Sequence, residues 1–233
     1  CGTVTAGVLH PWGGYVSSSV QGQSEQGVNY AFGAQVIGTQ GYDFTLPGTY
    51  GHDPDKDGFV QDSANFALSK DFDWGRLYAD GLYARGRNQY DSQPTDQTDT
   101  HNFSGRLGAR IDHSDSWSST VELTSALDYA SNFGHGVEGD DFDTLRYGIL
   151  ASTQKTFEVN DARHTVLGGV EAYRDSVDGS TVSDVAYART KRDLAAVFGQ
   201  YSFEYQALTI DTGLRYDHDE QFGGATTYNI GAS

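Results

Sequence analysis

The chain has 233 residues, 37% of them hydrophobic, and a formal net charge of −17. This charge excludes a nucleic-acid-binding protein, which needs a basic surface, and a peripheral protein attracted to anionic lipid. The 29 glycines, 15 tyrosines and lack of methionine argue against a helical core, and no run of about 18 apolar residues predicts a transmembrane helix. Cys1 is the single cysteine, which excludes an internal disulfide.

Apolar and polar residues alternate along most of the chain, as they do in β-strands with one apolar face. The clearest segment is 103–112, where Phe103 and Leu107 point to one side and Arg106 and Arg110 to the other. Twelve such strands are predicted, at residues 3–9, 15–23, 28–36, 63–69, 77–87, 103–112, 117–129, 145–154, 166–173, 192–205, 208–217 and 226–230.

The strand pair 192–205 and 208–217 favours a membrane barrel over a soluble sheet. Its strands approach the length that a tilted strand needs to cross the hydrocarbon core of a bilayer. Its apolar face ends in aromatic residues, among them Tyr205 and Tyr216, as in the interfacial girdle of a barrel. A half-buried soluble sheet would alternate in the same way, so the repetition of the pattern along the chain carries the interpretation.

Long polar connections alternate with short turns. The long ones are predicted at 39–59, 88–100, 131–143 and 174–185, with a further loop at 218–224, and the short ones at 24–27, 71–75, 113–116, 158–163 and 206–207. Outer-membrane barrels have this asymmetry, with short periplasmic turns and long extracellular loops. The sequence therefore predicts an all-β fold, an antiparallel transmembrane β-barrel with about twelve strands in this chain.

The first long connection contains Asp53-Pro-Asp55-Lys-Asp57-Gly58, which matches the first half of a calcium-binding loop. Position twelve of a complete EF-hand loop would be a glutamate and is Ala64 here, so an EF-hand is excluded. A calcium site and a solvated acidic loop both fit this motif.

Acidic residues in the neighbouring connections strengthen the calcium interpretation. Asp43 lies earlier in the first connection, and the second contains Tyr90, Asp91, Asp96 and Asp99. Calcium takes six to eight oxygen ligands, which two acidic loops at one end of a barrel can supply together. The third connection adds acidic residues that we interpret as solvated, namely Glu138, Asp140, Asp141 and Asp143.

No catalytic constellation is predicted. His113, His164 and His218 are interpreted as surface or turn residues, and the sequence has neither a G-x-S-x-G motif nor a Cys/His metal cluster. The inward arginines, Arg106 and Arg110 among them, are expected to form a charge ladder along the lumen. The chain is therefore expected not to be an enzyme.

At these loops the sequence resembles the TonB-dependent outer-membrane receptors, and among them the cobalamin (vitamin B12) transporters. The stretches that carry the resemblance are 41–43, 55–59, 88–91, 99–100 and 221–223. The resemblance implies a binding and transport protein of the bacterial outer membrane that imports cobalamin or a similar small chelate with energy delivered by TonB. It also implies that calcium orders the loops, with Tyr90 as a substrate or loop contact and these calcium ligands: Asp43, Asp55, Asp57, Asp91 and Asp99.

The chain departs from the family pattern in its extent. Family members have an N-terminal plug domain, through which TonB acts, and a barrel of twenty-two strands. Neither a plug nor a terminal aromatic strand is apparent, so residues 1–233 are interpreted as a partial receptor β-barrel domain.

Four other functions stay open at this point. A receptor for a siderophore or another metal chelate would not need calcium. A passive porin of about twelve strands would conduct without saturating. An outer-membrane enzyme barrel would need a convergent catalytic set near one rim, and a soluble adhesin-like sheet would need no membrane.

Overall fold

The computed structural model describes residues 1–43, 45–180 and 186–233, and its described residues form strands joined by turns and loops. The strands are β1 (Gly2–Leu9), β2 (Gly13–Gln23), β3 (Val28–Tyr42), β4 (Asp57–Phe72), β5 (Gly75–Gln89), β6 (Gln97–Ser114), β7 (Trp117–Gly134), β8 (Val137–Val159), β9 (Ala162–Gly179), β10 (Lys191–Tyr205), β11 (Leu208–Asp219) and β12 (Gly223–Ala232). The predicted number of strands is confirmed.

Each strand pairs antiparallel with the next one along the chain, from β1 to β12, in a single sheet. Within the described ranges β1 pairs with β2 alone and β12 with β11 alone, so the sheet is open at both edges. The predicted all-β antiparallel architecture is confirmed, and the strands of the described ranges form one curved wall that is not closed.

The outer face of the wall is apolar because the cross-strand register brings together the apolar side of each strand. One row runs from Val121 through Ala151 and Val170 to Val197 on four successive strands. Val170 and Val197 are 54% and 52% exposed, although they lie in the middle of the sheet. A continuous exposed apolar surface of this kind is what lipid covers in a membrane barrel.

The inner face carries the predicted charge ladder. Arg106 contacts Asp80 at 2.7 Å and Glu122 at 3.1 Å, and all three side chains point away from the apolar face. Further inward pairs are Arg146 with Asp175, Arg192 with Asp175, Arg215 with Glu171 and Arg110 with Asp112. Strand alternation therefore places opposite charges together on the lumen side.

The described residues have almost no hydrophobic core. Only two of their apolar residues, Ala162 and Ala196, are buried. The accessible surface is 15309 Å², whereas a compact soluble protein of this mass exposes about 10,300 Å². A single-layer sheet explains both numbers. The described residues contain no helix with the length and hydropathy of a membrane span.

The connections at one end of the sheet are short turns. They are residues 24–27, 73–74, 115–116, 160–161 and 206–207, which confirms the predicted tight end. In one of them Asn160 and Asp161 both have positive φ, 49° and 63°, as a two-residue hairpin turn of type I′ requires.

The opposite end, called the rim below, carries the longer connections, and three predictions there are corrected. Residues 131–143 are not a long loop, because β7 and β8 continue to a tight turn at 135–136. The loop predicted at 218–224 is reduced to residues 220–222. In the connection predicted at 174–185, β9 continues to Gly179, and residues 181–185 lie outside the described ranges.

Candidate metal centre at the rim

Two loops of the rim meet over the ends of β3 to β6. The first rim loop is residues 43–56 between β3 and β4, and the second rim loop is residues 90–96 between β5 and β6. The backbone N–H of Asp53 in the first loop donates to Asp91 Oδ1 in the second at 3.2 Å. The Thr45 hydroxyl, also in the first loop, donates to Asp91 Oδ2. Asp91 therefore joins the two loops.

The Asp91 carboxylate is enclosed, with a side chain that is 1% exposed. The hydrogen bond from Thr45 lowers its pKa, and the backbone N–H of Asp53 and the neighbouring His52 act in the same direction against the cost of burial. The carboxylate is consequently ionised over the neutral pH range and presents a fixed negative charge to both loops.

Four aspartates and one histidine form two groups around Asp91. One group contains Asp55, Asp57 and Asp91, and the other contains Asp43, His52 and Asp91. In each group the potential ligand atoms lie within 4.8 Å of one another. Ligands that surround one metal ion have such separations, so each group is able to hold a cation with little movement.

Asp55 shows the electrostatic consequence of this crowding. Its pKa is raised, first by partial removal from water and then by the negative charges of Asp53, Asp91, Asp96 and Asp43. Like charges that are held close together disfavour ionisation, and a bound cation removes this repulsion.

Glycines allow the backbone to hold Asp57 in place. Gly41 has a φ of +64°, and a Cβ atom there would lie 1.8 Å from the carbonyl oxygen of Asp57. Gly58 is buried, and a Cβ atom there would lie 2.7 Å from the carbonyl oxygen of Thr39. Only glycine permits these close approaches. Gly58, the glycine of the Asp-x-Asp-Gly motif, therefore allows the start of β4 to pack closely against the end of β3.

The structure brings together Asp43, Asp55, Asp57 and Asp91, which were predicted as ligands on sequence grounds, but it separates Asp99 from them. Asp99 lies on the outer face of β6. Its carboxylate accepts two hydrogen bonds there from Arg87 on β5, at 2.8 Å and 2.7 Å. Asp99 therefore belongs to neither group.

Tyr90 is the first residue of the second rim loop, and its side chain contacts that loop and the neighbouring strands. Its hydroxyl lies 3.2 Å from Thr95 Oγ1 and 3.2 Å from Thr98 Oγ1, and 3.5 Å from Asn132 Oδ1 on β7. The tyrosine thus anchors the loop to the wall, and its predicted contact with a substrate stays a prediction.

The turn at 135–136, called the rim hairpin, supports the second loop from the other side. Asp96 Oδ2 accepts a hydrogen bond from the backbone N–H of His135 at 2.9 Å, and the N–H of Asp96 donates to the carbonyl of Phe133. The acidic residues beyond this hairpin, at 138–143, take no part in either metal group.

Sequence reasoning missed His52 and Thr45. His52 directly precedes the acidic motif at 53–58, and an imidazole beside carboxylates is a signal for a metal ligand. Thr45 gives no signal, because its contact with Asp91 spans 46 residues and depends on how the loops meet.

A cavity of about 760 Å³ lies below the rim, between the ends of β5 and β10. Its lining includes Leu82, Asn102, Arg146 and Tyr187. Its cationic lining residues are Arg146, Arg189, Lys191 and Arg192, and both Arg146 and Arg192 contact Asp175, at 2.6 Å and 2.8 Å. The cavity has room for a small polar ligand on the lumen side.

A family model described as "TonB dependent receptor-like, beta-barrel" matches residues 17–233. The chain belongs to this family. TonB-dependent receptors lie in the outer membrane of Gram-negative bacteria, which confirms the predicted location, and the family consists of transport receptors rather than enzymes.

Among curated relatives, the vitamin B12 transporter BtuB of Vibrio cholerae serotype O1 is 27% identical over 214 residues. The match covers 87% of this chain and 33% of the relative, so the chain spans about a third of the length of that relative.

Two solved structures show the same fold. The siderophore receptor PiuA of Acinetobacter baumannii superposes with a TM-score of 0.71 at 10% identity, covering 100% of this chain and 45% of that one. The ferric enterobactin receptor PfeA of Pseudomonas aeruginosa gives a TM-score of 0.76 at 13% identity, covering 98% and 41%. These matches establish the barrel architecture of this TonB-dependent receptor chain.

Proposed function

We propose that this chain is part of the barrel of an outer-membrane receptor that binds cobalamin or a related corrinoid and imports it with energy delivered by TonB. The family membership supports receptor-mediated transport, and the similarity to a protein named vitamin B12 transporter supports a corrinoid. The chemistry is binding and translocation, without a bond-making step.

Calcium is the second part of the proposal. Asp55, Asp57 and Asp91 supply carboxylate oxygens within 4.8 Å of one another, and hard oxygen ligands of this kind suit calcium. The ion would cancel the repulsion around Asp55 and tie the first rim loop to the second. This convergence of residues separated by more than thirty positions is the single observation that carries the proposal.

The physical role of calcium follows from the entropy of the loops. Mobile loops must lose conformational freedom when they close on a substrate, and this loss weakens binding. An ion that orders the loops in advance removes that cost from the binding step. At a calcium concentration of 100 times the Kd, the ordered state gains about 2.7 kcal/mol.

A siderophore or other metal-chelate receptor is the alternative, because the two solved structures described above are a siderophore receptor and a ferric enterobactin receptor. At 10% and 13% identity these structures speak for the fold alone. A chelate receptor of that kind has no need of the calcium group, and this separates the two functions.

Transport is tested by cobalamin uptake in cells that express the full receptor as their one corrinoid receptor. We expect uptake that requires TonB and that falls strongly in Asp57→Asn. The matched control is Asp53→Asn, which makes the same charge change in the adjoining first rim loop, outside both metal groups, and it should retain most of the uptake. Uptake of a ferric siderophore without any uptake of cobalamin would move the function to the alternative.

A further inference from the structure

The group formed by Asp43, His52 and Asp91 differs in chemistry from the calcium group, because one of its three ligands is a nitrogen. We propose that this group is a second metal site, which binds a borderline divalent transition-metal ion such as Zn²⁺. The proposal does not depend on the identity of the transported substrate.

The distances around His52 fit such an ion. Its Nδ1 atom lies 3.6 Å from Asp43 Oδ1 and 3.7 Å from Asp91 Oδ2. Zinc bound at 2.0–2.2 Å in a tetrahedral site separates its ligands by about 3.3–3.6 Å. The two distances from His52 therefore need to shorten by only tenths of an ångström, and all three ligand atoms lie within 4.8 Å of one another.

The nitrogen ligand decides which class of metal the group selects. Imidazole suits zinc, copper, iron and nickel, whereas calcium is held by six to eight oxygens. The two groups share Asp91 but offer different donor sets, three oxygens in one and two oxygens with one nitrogen in the other. We therefore assign calcium to the first group and the transition metal to the second.

The surroundings of the second group hold its ligands in position. The His52 side chain is 13% exposed and that of Asp91 is 1% exposed, so neither swings freely in water. The Thr45 hydroxyl lies 2.9 Å from His52 Nδ1 and donates to Asp91. When a metal takes Nδ1, Thr45 keeps its bond to Asp91 as an outer partner, and such partners orient metal ligands.

Three protein ligands leave the fourth position of a tetrahedral site open to water or another small ligand. The alternative role for His52 is a protonated imidazole that neutralises Asp43 and Asp91 as an ion pair. These two roles differ in one measurable respect, since the ion pair predicts no saturable binding of zinc.

The test uses the full receptor, purified in detergent from outer membranes with an affinity tag that contains no histidine and stripped of metal with a chelator. Zn²⁺ alone is titrated calorimetrically, and we expect saturation at one equivalent. His52→Gln should weaken zinc binding by at least about tenfold while calcium binding stays within about twofold of the parent. His52→Cys, which restores a zinc ligand, should recover most of the zinc affinity.

The matched control is His135→Gln at the rim hairpin. His135 Nδ1 lies 3.4 Å from Asp96 Oδ2, but its side chain is 81% exposed and it has one acidic neighbour, so zinc binding should not change. Asp57→Asn should weaken calcium and spare zinc, which separates this proposal from the calcium proposal. Zinc binding that is absent in the parent, unchanged in His52→Gln or equally reduced in His135→Gln would overturn the second site.

Discussion

At the scale of single residues, Asp91 is the residue that connects the two rim loops and the two metal groups. Its two carboxylate oxygens receive hydrogen bonds from Thr45 and from the backbone of Asp53, and it is a member of both metal groups. Removing the charge of Asp91 should therefore weaken calcium binding more than removing the charge of any neighbouring aspartate.

Asp91→Asn is expected to weaken calcium binding by more than about tenfold, equivalent to about 1.4 kcal/mol, because a hard cation loses a charged ligand. Calcium titration of the purified receptor measures the effect. Asp53→Asn, with the same change of charge in the adjoining loop, should weaken binding by less than about threefold. Equal losses in the two variants would show that the rim attracts calcium only through its total charge.

The pKa values of the rim predict how calcium binding depends on pH. Protons compete with calcium for Asp55, whose pKa is raised above 3.8, so its ionised form begins to disappear at a higher pH than that of an ordinary aspartate. Asp91, whose pKa is lowered, stays ionised to a lower pH than Asp55. Calcium affinity measured from pH 7.5 downwards should therefore begin to fall while Asp91 is still charged. An affinity that stays constant to pH 4 would contradict this assignment.

At the scale of strands, alternation is visible in the sequence only where lipid covers one face. There the outward positions must be apolar, and the strands were predicted in the right places and order. Beyond the membrane both faces meet water, so polar residues occupy both and the pattern disappears. This is why β7 and β8 continue to 134 and from 137 through a stretch that the sequence predicts as a loop.

The two faces of β8 provide a direct test of this orientation. Ile149 points outward and is 45% exposed, whereas Leu150 points inward and pairs across the sheet with Glu122 and Glu171. Ile149→Arg should lower the free energy of unfolding by about 2–4 kcal/mol, because it puts a charge into lipid near the middle of the bilayer. Leu150→Arg should destabilise the folded receptor by less than about 1 kcal/mol, because its charge enters the hydrated lumen, beside glutamates that already pair with Arg106 and Arg215.

Urea titration of the receptor folded into phospholipid vesicles measures both free energies of unfolding. A loss in Leu150→Arg as large as that in Ile149→Arg would mean that the inward face is not a hydrated lumen. A small loss in both variants would argue against a membrane position for this strand.

At the scale of the whole molecule, the sequence predicts the composition of the site better than its geometry. Four of the five predicted aspartates meet because loops at one end of an antiparallel sheet are neighbours in space. Asp99 does not join them, because its place on β6 turns it to the outer face opposite Arg87. That placement depends on the register between β5 and β6, which the local pattern of residues does not contain.

His52 was missed for a related reason. A histidine in a polar loop is usually a solvated side chain, and its role here depends on Asp43 and Asp91 approaching it from two different loops. The whole wall therefore acts as the scaffold of the rim: β3 to β6 fix the loop ends, and the loops then meet through Asp91.

Cobalamin binding to the purified full receptor, measured in detergent with calcium and again after chelation, shows whether calcium prepares the rim loops for a corrinoid. We predict saturable binding with calcium present and a loss of affinity of at least about tenfold after chelation. Restoring calcium should restore binding. Cobalamin binding that is indifferent to calcium, or no cobalamin binding in either condition, would contradict the account of a calcium-ordered corrinoid receptor.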